Sequence, residues 1–127
     1  SEVIKNKGAA KQWPLATADG VTALHVEYSQ DEGAFPQPGN QEVEDFYRIL
    51  QSRFGHKVLI LANYRQALED LSPTKSWRKG SFEVVDLGNQ KLLYSKLRTG
   101  VSLLNDDADY FNKWIEDLAV SVEGQAA

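Results

Sequence analysis

Residues 21–28, VTALHVEY, alternate loosely. Val21, Ala23 and His25 fall on one side and Leu24, Val26 and Tyr28 on the other. Both sides carry apolar groups, which predicts an inner strand covered on two faces. After the Gly- and Pro-containing loop SQDEGAFPQPG, Asn40 is placed to cap a helix. Glu42 and Glu44 fall in its first turn, the end where the helix dipole favours anions. Val43, Phe46, Tyr47, Leu50 and Phe54 recur at helical spacing and Gly55 supplies a stop. The run KVLILAN that follows is apolar and β-branched, a buried strand.

Residues 64–71 show a short helical pattern, with Tyr64, Leu68 and Leu71 on one side, closed by Ser72-Pro73. GSFEVVDLGNQKLLYSKLRTG predicts a hairpin. Phe82, Val84 and Val85 lead in, the chain turns around Gly88-Asn89, and Leu92, Leu93, Tyr94 and Leu97 return. Asn105, Asp106, Asp107 and Asp109 crowd a helix start, and Phe111, Trp114, Ile115, Leu118 and Val122 form its apolar stripe. Residues 1–19 show neither period and read as an arm that Trp13 could pin to the body. The expected organisation is therefore an arm over 1–19, one domain over 20–122 and a tail over 123–127. The domain is mixed α/β (α+β), a thioredoxin-like β-α-β-β-β-α with a small mixed sheet and an inserted short helix over 64–71.

Two stretches carry a family likeness. SPTKSWRKGSFEVV, residues 72–85, and GNQKLLYSKLRTG, residues 88–100, resemble the selenoprotein W/selenoprotein H (Rdx) family, closest to selenoprotein H across PTK...RKGSFEV. The likeness spans roughly residues 21–120 and leaves out the arm and residues 64–71. In that family the first strand ends in a Cys-x-x-Cys or Cys-x-x-selenocysteine turn that performs thiol redox chemistry. Laid on this chain, the two positions hold Ser29 and Glu32, so the resemblance implies a redox site that has lost its reactive groups.

Composition sharpens that implication. The chain contains no cysteine, which removes thiolate attack and the second sulfur that resolves a mixed disulfide. Two histidines, His25 and His56, offer little to a metal, and NDDAD lacks the spacing of a calcium loop, so neither metal nor cofactor is expected. His25 and Ser29 on one strand would stand roughly 13 Å apart, too far for a nucleophile-base pair. No catalytic residue is expected. No apolar run reaches the roughly 20 residues of a membrane span, so no membrane insertion is expected either.

A formal charge of -4 argues against broad nucleic-acid binding. Lys75, Arg78 and Lys79 nevertheless surround Trp77 with no acid nearby, a set able to hold phosphates and stack a base. The leading expectation is a non-catalytic, redox-inactive binding or scaffold module, a subunit or adaptor of a larger intracellular protein assembly. Its candidate contacts are Trp13, Tyr64, Leu68, Lys75, Trp77, Arg78 and Lys79. The alternatives are a nuclear, nucleic-acid-associated protein of selenoprotein H type acting through the basic loop 75–79, and a thiol oxidoreductase whose cysteines were removed by engineering. The expected compartment is nuclear or cytosolic, or mitochondrial after loss of a presequence.

Overall fold

The computed structural model describes residues 20–29 and 38–126. Trp13, Glu32, the arm and residues 30–37 of the Gly- and Pro-containing loop lie outside them. In chain order the elements are β1 (Thr22–Tyr28), α1 (Pro38–Phe54), β2 (Val58–Ala62), α2 (Arg65–Leu71), β3 (Phe82–Asp86), β4 (Lys91–Ser95), α3 (Lys96–Thr99) and α4 (Ala108–Ala126). The strands form a sheet in the order β2-β1-β3-β4, with β1 parallel to β2 and the other neighbours antiparallel. A parallel pair needs a crossover, which α1 supplies, whereas β3 and β4 need only a tight turn. This is a mixed sheet with helices packed on it, a small thioredoxin-like α/β fold.

One face of the sheet carries the main core. Leu24, Val26, Phe82, Val84 and Tyr94 point to it and meet Phe46, Leu50 and Phe54 of α1 and Phe111, Trp114, Ile115, Leu118 and Val122 of α4. Phe46 stands at the centre, fully buried, edge-on to Phe82 at 5.5 Å and 5.7 Å from the Trp114 ring. Trp114 donates its indole N–H to the Leu93 carbonyl at 3.0 Å, which ties α4 to the outer strand β4. Such a contact occupies part of an edge that would otherwise offer unpaired backbone groups.

The short helix α2 lies against the opposite face, where Ala67, Ala23 and Leu87 form a second cluster with Leu61, Tyr64, Leu71 and Val85 around it. The segment expected as an insertion thus shields half of the sheet's other side. β1 is an inner strand covered on two faces, as its spacing predicts.

Details differ from expectation at four places. α1 begins at Pro38, so Asn40 lies inside its first turn rather than capping it; proline suits a helix start because its missing N–H would have no partner there. Tyr47 is exposed because the buried stripe runs through residues four apart, Glu42, Phe46, Leu50 and Phe54. Leu97 falls in α3 rather than in the returning strand: the Ser95 hydroxyl accepts from the Arg98 N–H and starts a helical turn, which Gly100 stops at φ 76°. Finally, α4 continues past Val122 to Ala126.

Candidate functional site

Alternation along β1 sends Ala23, His25 and Glu27 to the face away from the main core. All three are buried, which is ordinary for Ala23 and costly for the other two. Register then assembles a polar row across three strands: Glu27 pairs with Glu83 on β3, and Glu83 with Ser95 on β4. A neighbouring row runs His25, Val85, Leu92. Two carboxylates consequently lie side by side, 3% and 5% exposed.

Each is matched by donors. Glu27 takes a two-pronged contact from the Arg78 guanidinium, Nε to Oε2 and Nη2 to Oε1, both at 2.9 Å, and its Oε2 also accepts the Arg78 backbone N–H at 2.7 Å. These hydrogen bonds hold the Arg78 pKa above its ordinary value despite partial burial. Among the described residues Glu83 has no such cation on its own oxygens. It accepts from the Ser95 hydroxyl through Oε1, and from the Leu97 and Phe82 N–H groups through Oε2 at 3.1 and 3.3 Å. Charge-assisted bonds of this kind let a buried carboxylate remain in place.

His25 completes the floor. Its Nε2 accepts the Tyr64 N–H at 3.0 Å, so α2 starts on the imidazole. Burial pushes the His25 pKa down from 6.5 to about 4. In the unfolded chain His25 titrates near its ordinary value, so between the two pH values the unfolded state binds the extra proton. Stability is complete above about pH 6.5 and is lost as pH falls toward 4, by roughly 3 kcal/mol at most. Urea unfolding at pH 7 and pH 4.5 should show a larger loss for the native chain than for His25→Gln, which retains an acceptor without titrating. Equal losses would reject this assignment.

Above the two rows lies an open cleft of about 320 Å³. Leu71 and Pro73 wall it on the α2 side, Leu97 and Arg98 on the α3 side, and Arg78 crosses one end. Leu92 and Leu97 are 41% and 42% exposed and form an aliphatic rim. α2 packs on this face beside Ala23, Leu61, Val85 and Leu87, and the cleft lies next to it over residues of β1, β3 and β4.

The residues singled out from sequence are scattered relative to this cleft. Ser29 directly follows β1, buried, its N–H bonded to the Ser81 carbonyl at 3.1 Å. The Ser81 hydroxyl is itself buried without a hydrogen-bond partner among the described residues. Trp13 and Glu32 lie outside the described residues. Leu68 is 5% exposed and belongs to the interior, because α2 turns that side toward the sheet; it is not a surface anchor. Tyr64 is half-buried, and its hydroxyl donates to Gln66. Trp77 is half-buried rather than displayed, while Lys75 and Lys79 are exposed. Arg78 alone of the basic loop reaches the cleft, and it is committed to Glu27.

Sequence reading missed Glu27, Glu83 and Ser95 and left His25 as an ordinary strand residue. A signal was there: in HVEYS, positions 25, 27 and 29 are all polar on one side of a strand expected to be covered on both. Among the described residues no cluster of three or more His, Asp or Glu is arranged to hold a metal ion. No helix among them is long and apolar enough to cross a membrane. Comparison with family models, with curated proteins and with solved structures finds no match to this chain in any of the three.

Proposed function

We propose that this chain is a non-catalytic, redox-inactive binding module on a thioredoxin-like body, a subunit or adaptor of a larger protein assembly, and that the cleft over β3 and β4 is its contact surface. One observation carries the reading: the cleft has a polar floor whose groups are already engaged and an aliphatic rim that is open. Each carboxylate oxygen of Glu27 and Glu83 accepts at least one hydrogen bond, and His25 Nε2 accepts another. Groups so occupied are held in a fixed geometry and keep few lone pairs for a general base or nucleophile to aim at substrate. Leu92 and Leu97, by contrast, offer exposed apolar area beside a charged rim, the composition of a protein contact. The substitution of Ser29 and Glu32 at the redox positions of the selenoprotein W/H likeness supports the same reading.

The nucleic-acid alternative draws on the exposed Lys75 and Lys79, while Arg78 spends Nε and Nη2 on Glu27 and keeps only Nη1. It predicts association that salt dissolves steeply, whereas a contact centred on leucines should persist. The test is the native mass of tagged protein recovered from its own source at about 0.15 M and about 0.5 M salt, with identification of what accompanies it. The expected result is a discrete protein complex at both salts that Leu92→Asp with Leu97→Asp releases. Nucleic acid shed at the higher salt would favour the alternative, and a monomer at both would overturn the proposal.

A further inference from the structure

Two guanidinium groups at the cleft keep donors that no described residue bonds. Arg78 spends Nε and Nη2 on Glu27, and its Nη1 has no partner among the described residues. The Arg98 guanidinium lines the other side, exposed, with no side-chain bond or ion pair among the described residues. The carboxylates of the floor are buried and hydrogen-bonded, and Arg78 balances Glu27, so the charged donors left for an incoming group are Arg78 Nη1 and the Arg98 guanidinium. A ligand must therefore bring acceptors, and a carboxylate matches the forked guanidinium geometry best. Around those donors the walls are aliphatic, from Leu71, Val85, Leu92 and Leu97, and among the described residues no Phe, Tyr or Trp lines the cleft to stack a base.

Size restricts the ligand further. About 320 Å³ is at the low end for small-molecule sites and suits one large apolar side chain with its backbone. The exposed Leu92 and Leu97 continue the apolar surface outward at the rim, where the chain preceding such a residue could leave. We propose that the cleft receives the carboxyl-terminal residue of a partner polypeptide: the terminal carboxylate bonds Arg98 and the free amino group of Arg78, and an apolar last side chain packs on Val85, Leu92 and Leu97. The inference rests on the reading of this cleft as the contact surface and names the chemistry of the partner. Capture of a terminal carboxylate is an established mode of peptide recognition, here built from side-chain donors.

The test uses the full chain and a fluorescein-labelled peptide Gly-Ser-Gly-Val-Leu, followed by anisotropy up to about 1 mM protein. The free-acid peptide should bind and its carboxyl amide should bind at least about tenfold more weakly, since a charge-assisted pair is lost. Arg98→Gln should weaken the acid by a similar factor and leave the amide unchanged, whereas Arg98→Lys should recover part of the loss. Arg98 is exposed, so these variants should fold; matching urea midpoints would show that they do. Equal affinities for acid and amide, or no binding of the acid, would overturn the inference. Octanoate displacing the peptide at lower concentration than the unlabelled peptide would also overturn it, in favour of a free acid. If the native complex survives Arg98→Gln while the acid peptide fails to bind, this inference falls and the binding-module reading stands; a monomer from the native source sinks that reading itself.

Discussion

Replacing Glu27 by alanine is expected to destabilise the fold by about 3–5 kcal/mol. The carboxylate is 3% exposed and accepts three hydrogen bonds, one from the Arg78 backbone and two from its guanidinium. Its removal leaves a backbone N–H without its acceptor and a cation without its counter-charge. The Arg78 side chain is 32% exposed, so the orphaned guanidinium can turn partly to water, which places the expectation at the lower end of that range. The paired replacement separates the value of the interaction from the cost of breaking it. Leucine at both positions restores packing and buries no charge, so Glu27→Leu with Arg78→Leu should lie within about 1–2 kcal/mol of the native chain. Urea unfolding of both variants decides the matter. A single variant as stable as the native chain would mean that the ion pair is dispensable, and a double variant as unstable as the single would mean that the row needs charge.

Phe46→Ala should be at least as damaging, at about 3–5 kcal/mol, for a different reason. Phe46 is fully buried where α1 meets β3 and α4, its ring perpendicular to Phe82 and tilted against Trp114. Alanine there removes the transferred apolar surface and leaves a cavity that three elements would have to move to close. Tyr47, one residue on, is 49% exposed, and Tyr47→Ala should cost less than about 0.5 kcal/mol. Thermal unfolding of the two variants, with near-ultraviolet circular dichroism for the packing of Trp114, checks both. Comparable losses from the two substitutions would mean that α1 presents a different face from the one described.

The contrast between Phe46 and Tyr47 shows how far the sequence pattern reaches. Helical spacing selects both, since each lies within an apolar arc of α1, and only packing tells which one the sheet covers. The strands were legible because β2 is dense in Val, Ile and Leu and because β1 and β3 carry apolar groups on both sides, and α4 because its stripe repeats without interruption from Phe111 to Val122. α2 was legible as a helix but not in its place: nothing in RQALEDL says which face of the sheet it covers, and that choice depends on Ala23 and Leu87 arriving from distant segments.

The cleft lies at the far end of the same scale. Glu27, Glu83, Ser95 and Arg78 are separated by up to 68 positions between first and last, from 27 to 95; strand register makes the first three neighbours, and Arg78 joins them from the loop before β3. A polar residue inside a strand is visible in sequence; whether it meets solvent, a cation or another carboxylate is not, because the partner comes from a strand whose register is set elsewhere.

By itself the sequence determined the kinds and order of most elements, through hydrophobic period and capping chemistry, and it determined that no thiol in these 127 residues can do redox work. Tertiary structure decided the rest. It turned Leu68 inward, spent Arg78 on Glu27, brought two carboxylates together beneath an aliphatic rim and left Arg98 facing the opening. The physical reason is that period and propensity are local, acting over a turn or a pleat, whereas burial and charge pairing belong to segments that meet only after the chain has folded.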